Sequence, residues 1–181
     1  GHAPADFQIK TVRMETVATN TRELAGDAVS RDENAGGTAT QEMAKRWIED
    51  GKPKSVLIVP AKRSRNFTRR LISAIAEVAP DARVVNAVGT GKANSERLRV
   101  ALAADAGVTR YEDSSTDIII ACKRFDEGTD WPLCSHVYNY GIPGSFGLIL
   151  QRWGRAFRCK AGIEGHPFPD AARITFFVPK V

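Results

Sequence analysis

The sequence predicts an α/β domain in which a mostly parallel sheet carries helices on both faces. Short apolar runs such as Ser55–Pro60 and Asp117–Cys122 have the length and composition of strands that are buried on both faces. Between such runs, apolar residues recur at helical spacing, as they do from Phe67 to Val78. Strands and helices alternate along the chain, which is the order typical of a parallel sheet.

The N-terminal part of the chain differs from the rest. Residues 1–38 lack a sustained hydrophobic period and end in a turn-rich passage, so we expect a linker or an N-terminal extension there. Residues 39–181 are expected to form the domain. Its first helix is predicted to begin at Thr40, because Met43 and Trp47 share one helical face, and a glycine and a proline shortly afterwards end it.

The remaining elements follow in a regular order. After the first strand, a helix is predicted to begin near Ser64 and to end before Pro80. We then predict strands over 83–88, 117–122, 136–140 and 174–178, and helices over 95–106 and 145–159. Ligands of such sheets bind at the carboxyl ends of the strands, so the loops that follow the strands are where a site is expected.

The composition excludes several classes of protein. With 43% hydrophobic and 26% charged residues the chain is expected to fold as a globular domain. No apolar stretch approaches the roughly 20 residues that span a bilayer and no signal peptide is evident, so we expect a cytoplasmic protein without a membrane partner. The three cysteines show no paired spacing and predict no metal site. Lys and Arg outnumber Asp and Glu by 26 to 21, which modestly favours an anionic partner such as nucleic acid.

The predicted helix over 145–159 carries the most informative side chains. At about 100° per residue its apolar residues share one arc that faces the core. Gln151, Arg155 and Arg158 lie within about 60° of one another on the opposite side. Like charges at this spacing repel slightly on an isolated helix, and the planar guanidinium matches phosphate oxygens. The pair therefore indicates an anion, although a solvated basic face gives the same pattern.

The residues around this arginine pair resemble a known family. Residues 151–158 read Gln-Arg-Trp-Gly-Arg-Ala-Phe-Arg and match the pattern Q-R-x-G-R-x-x-R, motif VI of superfamily-two helicases. Upstream, the strand over 117–122 leads into Gly128, Asp130 and Pro132 at the spacing G-x-D-x-P, which resembles motif V of the same family. The resemblance covers residues 55 to about 160.

The resemblance implies a three-layer RecA-like fold of the P-loop NTPase type, as in the second (C-terminal) RecA-like domain of a DEAD/DEAH-type helicase. Arg155 and Arg158 would act as arginine fingers on the γ-phosphate of ATP, where charge develops during phosphoryl transfer. The ATP, with Mg²⁺, would be bound mainly by an N-terminal RecA-like domain of the same polypeptide. The residues expected to contact the nucleotide from this chain are Gly128, Asp130, Gln151 and Arg152.

The resemblance also implies a nucleic-acid surface, with DNA expected more than RNA. Basic residues follow several predicted strands, where they and the helix amides attract phosphate. Cys122 stands where many family members carry a threonine that meets a phosphate, which leaves that contact in doubt. A solvated surface would carry the same charges. The residues expected to contact nucleic acid are Lys62, Arg63, Arg65, Gly89, Lys123 and Arg124.

Parts of a complete motor are absent from the sequence. The loop Asn86–Ala93 resembles a P-loop but lacks its first glycine and the hydroxyl residue that binds Mg²⁺. The pair Asp126-Glu127 resembles the D-E pair that binds Mg²⁺ and water in such motors, but Lys123 and Arg124 precede it where that motif has a buried apolar strand end. The chain also opens without Met, so we expect the first domain to lie upstream and the isolated chain to be inactive. Alternatives are a non-catalytic nucleic-acid-binding or protein-interaction module, and a freestanding NTPase that uses the loop at Gly89–Lys92.

Overall fold

A six-stranded sheet forms the centre of the domain. The computed structural model describes residues 12–19, 39–60, 64–89, 91–122, 131–140, 163–167 and 172–179. The elements in these ranges are β1 (Val12–Thr19), α1 (Ala39–Glu49), β2 (Ser55–Ile58), α2 (Ser64–Val78), β3 (Val84–Asn86), α3 (Lys92–Asp105), a 3-10 turn (Tyr111–Asp113), β4 (Ile118–Ala121), β5 (His136–Tyr140) and β6 (Ala172–Pro179).

The sheet has the order β1-β6-β5-β2-β4-β3, and all neighbouring strands pair in parallel. The central strand β2 lies between β4 and β5, with Ser55 in register with both Ile118 and His136. The chain therefore runs to one side of β2 for β3 and β4 and to the other side for β5 and β6. This reversal places a crevice at the carboxyl end of β2.

Helices α1 and α2 cover one face of the sheet. Their apolar residues, including Trp47 and Leu71, pack against Leu57 of β2, Ile120 of β4 and Tyr138 of β5. These five residues are almost fully buried. Since successive residues of a strand point to opposite faces, Val56 and its equivalents in the other strands must be covered by a second layer.

That second layer packs on the opposite face. Val56, Ile119 and Val137 of the central strands form a second cluster with Trp131, and the partly buried Leu98 of α3 packs against it. The helices on the two faces and the sheet between them make three layers. The α/β class with a parallel sheet and helices on both faces is confirmed.

The predicted elements agree well with the observed ones. Strand β5 has the predicted bounds, and the helix predicted from Ser64 ends at Val78, ahead of Pro80. Helix α1 ends where predicted, because Gly51 adopts a φ of 90° that favours glycine, and the Lys52 amide donates to the Trp47 carbonyl. The helix predicted over 145–159 lies outside the described residues.

Strand β1 was not predicted from the sequence. It lies at an edge of the sheet and pairs with β6 alone, from Val12 opposite Ala172 to Thr19 opposite Pro179. Charged residues interrupt its apolar positions in the sequence, so it lacks the continuous apolar run that identified the central strands. A strand therefore lies within residues 1–38, and the division of the chain at residue 38 stays a prediction.

An ion-pair network ties the amino ends of the strands together. The Lys54 ammonium lies 2.5 Å from Asp117 Oδ1, and Lys54 is 7% exposed. Asp117 also accepts hydrogen bonds from the backbone amide and the guanidinium of Arg83. Burial alone would raise the pKa of Asp117, but the bonds from Arg83 and Lys54 outweigh it and lower that pKa to about 2.

In the ranges that the structure describes, no helix is long and apolar enough to cross a membrane. The described cysteines, Cys122 and Cys134, are both free thiols. Burial raises the pKa of the Cys134 thiol to about 12. That residue therefore has little thiolate character near pH 7 and serves packing.

Candidate functional site

The carboxyl ends of the central strands lie side by side. Ile58 of β2 pairs with Ala121 of β4 and with Asn139 of β5, and Asn86 of β3 pairs with Ile120. The chain therefore leaves β2, β3, β4 and β5 at one common edge. The segments that follow these strands carry the predicted site residues, so the register of the sheet agrees with one site at this edge.

A groove of about 470 Å³ opens at this edge between α2 and the turn after β3. Arg65 and Arg69 line it from the first two turns of α2, and Gly89 and Asn94 line it from the other side. Both arginines are exposed. None of the described residues that line the groove is acidic, so its charge favours an anion.

The groove also contains a hydroxyl group with unused hydrogen-bonding capacity. Thr68 lines the groove and is 2% exposed, and its Oγ1 has no hydrogen-bond partner within the described part of the chain. A buried hydroxyl without a partner costs free energy. Because the Oγ1 atom itself is buried, a ligand oxygen in the groove would accept the missing bond only after the side chain turns toward the groove. A role for Thr68 was not predicted from the sequence.

The turn after β3 depends on a glycine. Gly89 has a φ of 112°, a conformation that L side chains rarely adopt. A Cβ atom added there would lie 3.2 Å from Asn94 Nδ2. The side-chain amide of Asn94 donates to the Val88 carbonyl at 2.5 Å, and the backbone amide of Val88 donates to Asn86 Oδ1 at 3.0 Å. These bonds close the turn on itself and bring Gly89 to the groove.

The described part of this turn differs from a P-loop in two respects. A P-loop presents free backbone amides to phosphate, and here the Val88 amide is already bonded within the turn. Lys92 is the exposed first residue of α3, and Ala93 follows it in place of a hydroxyl residue. The described geometry therefore gives no support to a freestanding NTPase at this loop.

Of the predicted site residues, the structure places Arg65 and Gly89, and it brings both to the same groove. The other ten lie outside the described residues. They are Lys62, Arg63, Lys123, Arg124, Gly128, Asp130, Gln151, Arg152, Arg155 and Arg158.

A buried carboxylate binds Trp131, which lies between Asp130 and Pro132 of motif V. Trp131 is 1% exposed, so its ring serves packing. Its indole N–H donates to Asp105 Oδ2 at 3.0 Å. Asp105 is the last residue of α3 and is 2% exposed. This contact was not predicted from the sequence, because an acidic residue at a helix end ordinarily faces solvent.

The segment that follows motif VI docks on the same region. The Glu164 amide donates to the Thr109 carbonyl and the Tyr111 amide donates to the Glu164 carbonyl, each at 2.8 Å. His166 stacks edge-on against Tyr111 with ring centroids 5.2 Å apart. Burial lowers the pKa of His166, and hydrogen bonds to the carbonyls of Cys134 and Pro132 only partly offset it. The end of α3 and its connector to β4, over residues 105–116, thus contact Trp131 within motif V and Glu164 beyond motif VI.

Comparison with known proteins assigns the chain to a family. A sequence model described as the helicase conserved C-terminal domain matches residues 52–160. Dicer-like protein 2 of Pyricularia oryzae is 21% identical over 112 residues, which cover 59% of this chain and 8% of that protein. The chain spans about a tenth of the length of the curated relatives it matches.

Solved structures share the fold. The Mss116p DEAD-box helicase domain 2 bound to an RNA duplex has a TM-score of 0.54 at 17% identity, covering 94% of this chain and 55% of that chain. The Mycobacterium smegmatis helicase Lhr bound to ssDNA and AMP-PNP has a TM-score of 0.58 at 18% identity, covering 94% and 20%. At this identity the likeness concerns the fold, which is RecA-like.

Proposed function

The chain belongs to the helicase conserved C-terminal domain family, and from that premise we propose that it is the second motor domain of an ATP-dependent superfamily-two helicase or translocase. The observation that supports this most is the basic groove at the carboxyl edge of the sheet. It contains Arg65 and Gly89, which were predicted as nucleic-acid contacts from the sequence, and the unsatisfied hydroxyl of Thr68.

The groove is proposed to hold the phosphate backbone of a nucleic acid. Arg65 would contribute charge, Thr68 a hydroxyl donor, and the turn at Gly89 a backbone that a phosphate can approach closely. Aromatic side chains are absent from the described lining, so backbone contact is favoured over base stacking. The remaining proposed contacts follow β2 and β4 at the same edge, and they are Lys62, Arg63, Lys123 and Arg124.

The nucleotide is proposed to bind between this domain and a first RecA-like domain. Arg155 and Arg158 would reach the γ-phosphate, and charge developing in the transition state makes such contacts effective. ATP and Mg²⁺ would be held mainly by the first domain. The supporting residues of this chain would be Gly128, Asp130, Gln151 and Arg152.

In this mechanism the arginines complete the site only when the two domains close. Closure would follow ATP and nucleic-acid binding, and hydrolysis would reopen the domains and move the strand. The isolated chain is accordingly proposed to lack ATP turnover. Its preference for DNA over RNA and its cytoplasmic location stay predictions, and the similar solved structures include one bound to an RNA duplex and one bound to ssDNA.

The groove is tested by fluorescence anisotropy of the chain with single-stranded DNA and RNA oligonucleotides at several salt concentrations. Arg65→Ala is expected to weaken binding. It should also make the slope of log affinity against log salt shallower by the amount that corresponds to about one phosphate contact. Arg110→Ala is the matched control, because Arg110 is exposed and lies on the connector that leads to the amino end of β4. Equal effects of the two substitutions would remove the support for this groove.

A further inference from the structure

The Asp105 carboxylate has an unusually complete set of donors for a residue at a helix end. Oδ2 accepts from Trp131 Nε1 at 3.0 Å and from Ser114 Oγ at 2.7 Å. Oδ1 accepts from the amide and the hydroxyl of Ser115 at 2.7 and 2.8 Å. Burial alone would raise the pKa of Asp105, but these bonds together lower it, so the group is ionised near pH 7.

Two of these donors cannot adapt to a different partner. The indole N–H of Trp131 and the amide N–H of Ser115 donate only, whereas the Ser114 hydroxyl can rotate toward the Thr116 carbonyl 2.8 Å away. An asparagine at position 105 presents one oxygen and one NH₂ group. Whichever way that amide is turned, a fixed N–H of Trp131 or Ser115 faces another donor. Only a carboxylate satisfies both.

The position of this anchor in the chain gives it a consequence for function. Trp131 follows Asp130 directly. Both oxygens of Asp105 bind the connector over 105–116, through Ser114 and Ser115, and Oδ2 also binds Trp131. The same connector bonds to Glu164, which follows the motif VI segment. The end of α3 and the connector thus bind Trp131 within motif V and Glu164, which lies six residues beyond motif VI.

We propose that Asp105 is a positioning residue that acts through Trp131 to hold the motif V segment, Gly128 and Asp130 in particular, in its working place relative to motif VI. This inference rests on the proposed function, because it assigns motif V its role at the nucleotide. Asp105 contacts neither nucleotide nor nucleic acid in this mechanism. Its effect arises from the hydrogen bond to an indole that has no other described acceptor.

The first test is hydrogen exchange measured by mass spectrometry on the whole chain. Asp105→Asn is expected to speed exchange about tenfold in peptides that cover residues 117–135, since a buried N–H loses its acceptor. Peptides from α1 and α2 should keep their rates. Asp113→Asn is the matched control, because it makes the same charge change at an exposed position of the connector. A uniform increase over all peptides, or no increase, would overturn the proposal.

Two further variants keep the test decisive if Asp105→Asn folds poorly. Trp131→Phe keeps an aromatic ring but removes the N–H, and it should produce a smaller change confined to the same peptides. In the double variant the amide introduced at position 105 no longer faces the indole donor, so the combined effect should be smaller than the sum of the two single effects. Additive effects would show that the two side chains do not act through their hydrogen bond.

The second test separates positioning from mere stability. In the complete gene product, Asp105→Asn is expected to raise KM for ATP about tenfold while kcat falls less, because the segment proposed to contact the nucleotide is displaced. Unchanged KM and kcat, together with local exchange changes, would overturn the positioning role. A wild-type protein without ATP turnover would overturn the proposed function instead, and the exchange data would still show whether Asp105 holds the segment at Trp131.

Discussion

Asp117→Asn is expected to destabilise the domain in a way that depends on pH. The carboxylate lies between the buried Lys54 and the guanidinium of Arg83, and its side chain is 18% exposed. The substitution keeps the shape of the side chain and removes its charge. It lies at the amino ends of the strands, so it leaves the proposed groove at the carboxyl edge intact.

The magnitude follows from the pKa of Asp117, which is lowered from an ordinary 3.8 to about 2 in the folded chain. This difference corresponds to about 2 kcal/mol of stabilisation at pH 7. Because the folded pKa is the lower one, the stabilisation is complete above pH 5 and is lost as the pH falls toward 2. About half of it, roughly 1 kcal/mol, is lost by pH 3.

The assay is urea denaturation of the wild-type chain and of Asp117→Asn at pH 7 and pH 3. The variant is expected to unfold with about 2 kcal/mol less free energy at pH 7, and the difference between the two proteins should shrink by about 1 kcal/mol at pH 3. Asp113→Asn, at an exposed position, should change stability by less than about 0.5 kcal/mol. A difference for Asp117→Asn that stays constant with pH would refute the linkage argument.

Three further outcomes are expected. Thr68→Val should leave the free energy of unfolding unchanged or raise it by about 1 kcal/mol, since it removes an unsatisfied buried hydroxyl, and it should weaken nucleic-acid binding in anisotropy titrations. A lower free energy of unfolding would contradict this, because it would show that the Thr68 hydroxyl has a hydrogen-bond partner. Gly89→Ala should lower the melting temperature and weaken binding, because it strains a φ of 112° and crowds Asn94; an unchanged melting temperature would contradict this. Lys92→Ala should leave nucleotide binding by the isolated chain unchanged in equilibrium dialysis.

The core elements were predictable because their apolar residues repeat with the period of the structure. β5 and the bounds of α2 follow from such patterns, as does the position of Gly51 at the end of α1. The edge strand β1 carries no continuous apolar run, and its pairing with β6 joins residues about 160 positions apart. No local pattern contains that information.

The polar contacts that organise the site were less predictable. Asp105 and Trp131 are 26 positions apart, and Lys54 and Asp117 are 63 positions apart. Each pair meets only after the strands and helices have assembled. The unsatisfied hydroxyl of Thr68 likewise depends on what the fold places around it. The alternation of strands and helices predicted the edge of the sheet at which the groove lies, but packing decides which polar groups line or support it.

The central claim is that Arg155 completes an ATP site held mainly by another domain. The most direct test is steady-state ATP turnover, with saturating nucleic acid, of the complete gene product and of its Arg155→Ala and Arg110→Ala variants, beside the isolated chain. We expect kcat to fall by about a thousandfold or more in Arg155→Ala, to stay unchanged in Arg110→Ala, and to be undetectable for the isolated chain. Undiminished turnover in Arg155→Ala, or turnover by the isolated chain that depends on Lys92, would contradict the claim.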